Sequence, residues 1–324
     1  MAEKYTLQPE KPRSWGVSGV LRVKYSEDFL EAVIRSHVDL LDELVIVHAE
    51  TNDQTLDIIR RCQDDHPDKI RLHAYPHPVA GIGSSRHAQL DDSHPESIAS
   101  YYNWAFSKAS FQVATKVDDD HLPVTHRFAE AVEKIKRTRP TRFIHTYSGL
   151  NVIKTQDGLL MPESQMVAGV GDTWFFDIAE DTHFEQHPSF ERLTYGKRDF
   201  EHLGLLFWHL KFMKEDLGVR NCDVDDDEKP ATKIQEKFKG EHLLKLEELQ
   251  REANERFVMI GRSFKASSLL KGRPLWLCRV IEALLAPIFK WRERLSHINS
   301  VQFRSLNLND PNLERIERMD SHSN

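Results

Sequence analysis

Tyr101–Pro123 reads YYNWAFSKASFQVATKVDDDHLP, and the order of its parts decides the fold. A helix is predicted over Ile98–Ala109, followed by a short strand, Phe111–Val117. Val113, Ala114 and Val117 are apolar and β-compatible, so the strand is expected to be buried. Asp118, Asp119 and Asp120 then emerge at its carboxyl end. Three adjacent anions repel one another and destabilise the chain unless a cation sits among them. Hard oxygen donors of this kind suit Mg²⁺ or Mn²⁺, bound through one or two carboxylates together with substrate phosphates. Open α/β sheets place their ligands just beyond the carboxyl ends of the strands. A solvated acidic turn has the same composition, and the chain contains one for comparison. Asp225, Asp226 and Asp227 lie in RNCDVDDDEKPATK, with no apolar strand leading in and Lys229 and Pro230 closing the run; they read as an exposed loop.

Towards the N-terminus, Trp15–Tyr25 alternates as a strand, and Ser26 with Glu27 and Asp28 reads as the start of a helix. That helix places Leu30, Val33, Ile34, Val38 and Leu41 on one face. Leu44–Val47 is a continuous apolar run, as in a parallel strand covered on both sides. A helix with Leu56, Ile58, Ile59 and Cys62 and a strand over Ile70–Tyr75 complete a β-α-β-α-β unit. Right-handed crossovers make its sheet parallel. The long loop Pro76–Glu96 contains Gly81, Gly83, Ser84 and Ser85, which can approach a phosphate, and Arg86, which can pair with one.

Towards the C-terminus, a helix is predicted near Thr125–Arg137, a strand over Arg142–Tyr147, and a hairpin over Leu150–Met161 turning at Asp157–Gly158. A small-residue loop, Val167–Asp172, precedes the aromatic cluster Trp174, Phe175 and Phe176. Phe184–Leu193 is expected to lead into a helix carrying Leu203, Leu205, Leu206, Phe207, His209 and Leu210. A charged amphipathic helix is expected over Glu241–Phe257.

With 324 residues, 40% hydrophobic and 29% charged, the chain can build one large soluble domain with an appendage. A net charge of −7, with no basic stripe alternating with aromatics, argues against nucleic acid as a partner. Cys62, Cys222 and Cys278 show no metal-ligand spacing and fit a reducing cytoplasm. Met1–Ser14 is polar, so neither a signal peptide nor an anchor is expected there. The expected division is a polar segment over 1–14, a catalytic domain over 15–240, a helical extension over 241–300 and a polar, disordered tail over 301–324. Within the extension, Pro274–Phe289 is too short to span a bilayer, which takes ~20 residues. Its Leu277, Ile281, Leu284, Leu285 and Ile288 share a helical face between Trp276 and Trp291, with basic residues on both sides. Two roles stay open for 274–295: peripheral contact with an anionic membrane, or a helix closing the core or a subunit interface.

Taken as an ordered set over Trp15–Lys214, these features resemble the GT-A glycosyltransferases, nearest to the large family-2 type. That family pairs an opening β-α-β unit with a polar turn of the form DxxSxDxT. His48–Thr55 (HAETNDQT) matches the turn at Thr51, Asp53 and Thr55, with His48 where an aspartate is usual. Asn103, Ala109 and KVDDD follow in the family's order and spacing. The resemblance implies an α/β fold of GT-A type, Rossmann-like, with a mostly parallel sheet flanked by helices and a C-terminal helical extension. It places Thr51 and Asp53 near the nucleoside, with Asp118 and Asp119 among the donor-binding residues. Asp118 and Asp120 become the outer positions of a DxD motif, and His209 in FWHLK completes a Mn²⁺ or Mg²⁺ sphere. Gly169 and Gly171 fall in a glycine-rich loop facing the donor sugar. FEQHPSFERL aligns Glu191 with the family's catalytic base, although Arg192 stands where an aspartate follows; Asp181 in IAED is the alternative base. Trp174 suits stacking on the apolar face of an acceptor sugar, or equally core packing.

The implied activity is metal-dependent, inverting transfer of a sugar from a nucleotide-sugar donor to a glycan or lipid-linked acceptor. Surface polysaccharide assembly in the cytoplasm, or at the inner face of the cytoplasmic membrane, is the implied setting; the oligomeric state stays open. A nucleotidyl- or phosphotransferase would also use clustered aspartates with Mg²⁺, but neither a Walker A loop nor a kinase glycine loop is present. A sugar- or lipid-binding scaffold without turnover is the non-enzymatic alternative.

Overall fold

The computed structural model describes residues 12–81, 84–162, 165–169, 172–187, 190–214, 243–246, 248 and 306–319. The opening unit is β1 (Ser14–Val23), α1 (Leu30–His37), β2 (Glu43–His48), α2 (Thr55–Asp65) and β3 (Ile70–Ala74). β2 lies parallel to β1 from Ser18 opposite Glu43 to Val23 opposite His48, and β3 lies parallel to β2. α3 (Ile98–Ser107) then carries the chain to the other side of β1, where β4 (Phe111–Val117) adds a fourth parallel strand.

The rest of the sheet comes from β5 (His121–Pro123), β6 (Phe143–Asn151), the short β9 (Val167–Ala168), β10 (Trp174–Asp177) and β13 (Asp199–His209). β10 inserts antiparallel between β4 and β6, β13 runs parallel to β6, and β5 pairs antiparallel with β13. The order across the nine-stranded sheet is β3-β2-β1-β4-β10-β6-β13-β5, with β9 paired to β6. One face packs α1, α2 and α4 (Thr125–Thr138) through residues such as Val33, Ile59, Phe128 and Phe175. The other face packs α3 and the hairpin of β11 (His183–His187) and β12 (Phe190–Thr194) through Phe106, Phe176, Phe184 and Leu193. The fold is therefore a mixed α/β sheet, mainly parallel and covered by helices, as the sequence led us to expect.

Four local expectations are corrected. Leu203–Leu210 is not helical: Leu203–His209 lies in β13, and Leu210 continues past the strand's end. Gly204–Trp208 of that strand are buried on both faces, so the apolar run has no period that separates strand from helix. Phe184–Leu193 is likewise the β11–β12 hairpin rather than a lead into a helix. Ser26 caps nothing, because α1 starts at Leu30; its amide instead donates to Thr55 Oγ1 at 2.9 Å. Within Glu241–Phe257, Leu243–Lys245 forms β14, paired with β8 (Gly158–Pro162), and most of the remainder lies outside the described residues.

The hairpin at Asp157–Gly158 is present as β7 (Ile153–Thr155) and β8, with Gly158 at φ +100°, a conformation that favours glycine. α5 (Pro311–Arg318) buries Leu313 and Ile316 in the main core together with Leu306. Asp225–Asp227 and Pro274–Phe289 lie outside the described residues. Among the described residues, no helix is long and apolar enough to cross a membrane.

Candidate active site

β1 and β4 are paired to their carboxyl ends, Leu21 lying opposite Val117, and a cleft of about 830 Å³ opens just beyond them. β1 contributes Arg22, α3 Tyr101 and Tyr102, and β4 Lys116 and the Asp118–Asp120 turn. Glu191 of β12 and His209 of β13 also line it.

One wall gathers metal-ligating side chains. His121 of β5 lies directly opposite His209 of β13, which lies opposite Asn151 of β6, so register sets three side chains in a row across the sheet. The turn before them is closed by the His121 amide on the Asp118 carbonyl at 3.1 Å, and is fastened to β13 by the Leu210 amide on the Asp120 carbonyl at 2.8 Å. One donor atom each from Asp120, His121 and His209 falls within 4.8 Å of the others. Nε2 of His209 is 3.6 Å from Asp120 Oδ1, and Nε2 of His121 is 3.8 Å from the same oxygen.

The hydrogen bonds fix the His209 tautomer. Asn151 Nδ2 donates to the Gln165 carbonyl at 2.5 Å, which turns its Oδ1 towards His209 Nδ1 at 2.6 Å. Nδ1 therefore carries the proton and Nε2 offers its lone pair beside Asp120, the arrangement metal-bound histidines adopt. Burial pushes His121 down to about 4, further than the nearby Asp118 charge restores, so its ring is neutral near pH 7. One carboxylate and two imidazoles fit a divalent transition metal. They fit Mg²⁺ less well, because it prefers an all-oxygen shell.

Among the described residues, Lys214 is the cation closest to this group. Its Nζ is 2.9 Å from Asp119 Oδ1 and 3.3 Å from Asp120 Oδ2, with 8% of the side chain exposed. Burial raises Asp119 above the usual carboxylate range, against Lys214 and a hydrogen bond from Ser26. Burial acts the same way on Asp120, but the Lys214 ammonium leads the charges that outweigh it and holds that carboxyl well below the usual range. Asp120 is thus the anion of the pair, which suits it to bind a metal.

The other wall holds Glu191, whose Oε1 accepts the Tyr102 hydroxyl and lies 3.6 Å from Lys116 Nζ. Trp174, 6% exposed, belongs to the core cluster on that face and also lines the cleft, with Lys116 Nζ 6.0 Å from its ring centre. Gly169 lines the cleft at φ +73°; a Cβ there would meet the Phe207 ring at 2.8 Å. Gly171 lies outside the described residues.

Other expected site residues are engaged elsewhere. Asp181 is held by Arg198 at 2.5 and 3.1 Å and by Arg142 at 3.0 Å, and does not line the cleft. Arg198 and Arg142 hold its carboxyl far below the usual range, so it is a poor base. Thr51 donates to Asp53 at 2.5 Å, and Asp53 accepts the Thr55 amide at 3.0 Å, so both shape the turn before α2. Arg86 forms a forked pair with Glu96 at 2.8 and 2.9 Å and lies outside the cleft lining.

The sequence reading did not single out His121, Asn151, Lys116, Arg22, Tyr102 or Lys214. His121 and Lys116 stand on either side of the aspartates in KVDDDH, but a lone histidine or lysine beside a strand carries no signal of its own. The others depend on strand register or on contacts remote in sequence.

No protein-family model matches the chain, and no curated protein matches it. Among solved structures, TarS from S. aureus is 14% identical over 90% of this chain and 54% of its own, with a TM-score of 0.38. A mannosyltransferase from Pyrobaculum calidifontis, in complex with GDP-Man and Mn²⁺, is 14% identical over 93% and 92% of the two chains, TM-score 0.32. Glucosyl-3-phosphoglycerate synthase from Mycobacterium tuberculosis, in complex with Mn²⁺, UDP and glucosyl-3-phosphoglycerate, is 19% identical over 34% of each chain, TM-score 0.22. This chain spans about a third of that protein's length, and 42% of another mycobacterial structure.

Proposed function

We propose that this chain is a metal-dependent glycosyltransferase of GT-A type, inverting, that moves a sugar from a nucleotide-sugar donor to a hydroxyl of a glycan or lipid-linked acceptor. The observation that carries the reading is one cleft lined by two sets of groups. Asp120, His121 and His209 converge in one group, and the Glu191 carboxylate lines the same cleft outside that group. The volume of about 830 Å³ suits a molecule of nucleotide-sugar size.

Asp120, His121 and His209 would hold Mn²⁺, which when bound supplies Lewis-acid neutralisation of the donor diphosphate. Lys214 beside them adds positive charge where the leaving diphosphate gathers negative charge. Glu191 takes the proton of the acceptor hydroxyl, and the two walls align that oxygen with the anomeric carbon. Attack from the side opposite the departing diphosphate inverts the centre. The lipid-linked form of the acceptor rests on the sequence of 274–295 alone. If it is right, Trp276→Ala with Trp291→Ala should release the protein from anionic vesicles in a flotation assay.

A thermal-shift screen of UDP-, GDP-, CMP- and dTDP-sugars with Mn²⁺, followed by a hydrolysis assay on the hits, tests the function. One nucleotide sugar at ~100 times its Kd should add about 2.7 kcal/mol of stability. That shift and Mn²⁺ binding should vanish in Asp120→Asn and survive in Asp226→Asn. Phosphoryl transfer from a nucleoside triphosphate, with no nucleotide sugar bound, would replace this reading with the phosphotransferase.

A further inference from the structure

Five side chains close a ring along the Glu191 wall. The Arg22 guanidinium carbon lies 3.2 Å from the centre of the Tyr102 ring, and Nη2 lies 3.6 Å from Asp118 Oδ1. Asp118 Oδ2 is 3.1 Å from Lys116 Nζ, which is 3.6 Å from Glu191 Oε1. The same Oε1 accepts the Tyr102 hydroxyl, which returns the ring to Arg22. Four elements, β1, α3, β4 and β12, are tied together through it. Lys116, Glu191 and Arg22 have side chains only 7%, 9% and 10% exposed, so these charges face one another in a poorly hydrated place.

The ring places Asp118 differently from the DxD expectation. The candidate metal group takes Asp120 and both histidines and leaves Asp118 out. Asp118 spends its two oxygens on Lys116 and Arg22, and its only approach to the metal wall is 3.7 Å to His121 Nε2. The ring also occupies one oxygen of Glu191 fully. Oε1 has a hydroxyl donor and an ammonium beside it, which leaves Oε2 as the oxygen able to take a proton.

We propose that Lys116, Tyr102 and Asp118 are positioning residues for Glu191, and that Asp118 serves the base rather than the metal. This rests on the glycosyl-transfer reading. In the step it describes, the acceptor O–H proton passes to Glu191 Oε2 while the acceptor oxygen bonds to the anomeric carbon. The bond from that carbon to the diphosphate oxygen breaks, and its electron pair leaves with the diphosphate. Lys116 and the Tyr102 hydroxyl hold Glu191 Oε1 by charge and hydrogen bonding. Asp118 holds Lys116 in place and Arg22 steadies the Tyr102 ring. Among the described residues, the groups set against Glu191 are Arg22 from β1, Tyr102 from α3 and Lys116 from β4, with Asp118 beyond Lys116 and the uncharged Gln186 paired opposite it on β11.

Two measurements on the full chain test this. The first is the pH profile of kcat/KM, whose acid limb reports the base of the free enzyme. Lys116→Met should lower kcat tenfold or more and move the acid limb to higher pH, because a carboxylate that loses its cation holds its proton longer. Tyr102→Phe, which removes one atom, should do the same to a smaller extent, and Lys116→Arg should restore the limb. Donor KM should hold steady throughout. The second is calorimetric titration with Mn²⁺ alone, which needs no turnover. Asp118→Asn should bind Mn²⁺ within about twofold of the parent, whereas Asp120→Asn should not bind it.

An unmoved acid limb in both Lys116→Met and Tyr102→Phe would overturn the proposal while leaving glycosyl transfer standing. Loss of Mn²⁺ binding in Asp118→Asn equal to that in Asp120→Asn would also overturn it. Failure of the parent protein to turn over any nucleotide sugar would overturn the functional reading instead, and the Mn²⁺ titrations would still decide the place of Asp118.

Discussion

His37 closes α1 with Nδ1–H donating to the Val33 carbonyl at 2.9 Å and its ring edge-on to Phe128. At 2% exposure, burial pushes its pKa down to about 4. The unfolded chain protonates this side chain near 6.5, so its contribution to stability is whole above that pH. The contribution is lost as pH falls from 6.5 towards 4. At pH 5 the loss from this residue is about 2 kcal/mol by proton linkage. A urea midpoint that falls between pH 7 and pH 5, and falls less in His37→Gln, is the expected result; equal slopes would remove His37 as a source. Among site residues, the aspartate run stood out in sequence because it ends a short apolar strand, whereas Glu191 and His209 came from the resemblance, through FEQHPSFERL and FWHLK. His121 and Lys116 did not stand out, since a lone histidine or lysine next to a strand is ordinary. Only the register that sets His121 against His209, and the burial of Lys116 between two carboxylates, give them meaning.

Glu191 stands where it does because of α3. The side chain of Asn103 acts like the edge of another strand, its Nδ2 donating to the Phe184 carbonyl at 2.9 Å and its Oδ1 accepting the Phe184 amide at 2.7 Å. β11 is thereby locked to α3, and β12, which carries Glu191, is paired to β11. Asn103→Ala leaves both backbone groups of Phe184 buried without partners, at a cost of ~2–4 kcal/mol. Stability should fall by that amount and kcat should fall with it, while Mn²⁺ affinity, set on the other wall, should be unchanged. Denaturant unfolding with Mn²⁺ titration separates these effects, and equal loss on both walls would show a general collapse instead. Among the elements, β4 was legible to the residue, being a short apolar run with a helix before it and a charged turn after it. β13 was not, since Gly204–Trp208 is buried on both faces and its composition suits a buried helix equally well. The β11–β12 hairpin was obscured for a different reason. Its placement is braced by Asn103 of α3, remote in sequence, which no local pattern reveals.

Across the whole molecule, the C-terminal residues finish the domain that the N-terminal half begins. Composition alone made 301–324 look like a solvated tail, because only a few apolar residues in it matter: Leu306, Leu313 and Ile316 fill the core beside α1 and α4. The polar residues between them make specific bonds that composition cannot reveal. Asp310, 1% exposed, is the clearest case, since one carboxylate serves two helix starts. Its Oδ1 accepts the Asn312 amide of α5 at 2.9 Å, and its Oδ2 accepts the Thr125 amide of α4 at 2.8 Å. Asn312 Nδ2 adds a bond of 2.7 Å to the carbonyl of Pro123, the last residue of β5. These contacts brace the strand that presents His121. Removing a cap costs about 0.5–2 kcal/mol, so Asp310→Ala, which removes two, should cost about 1–4 kcal/mol. Asp310→Asn keeps one oxygen acceptor and should lose about half as much. Because β5 lies between the tail and the cleft, Mn²⁺ affinity should weaken in parallel, most in Asp310→Ala, although residue 310 touches no metal ligand. Urea unfolding of both variants, followed by calorimetric Mn²⁺ titration of each under native conditions, reads the two effects separately. A drop in stability with unchanged Mn²⁺ affinity would show that the tail closes the core without setting the position of His121. No drop in stability would show that the two helix starts are held well enough without it.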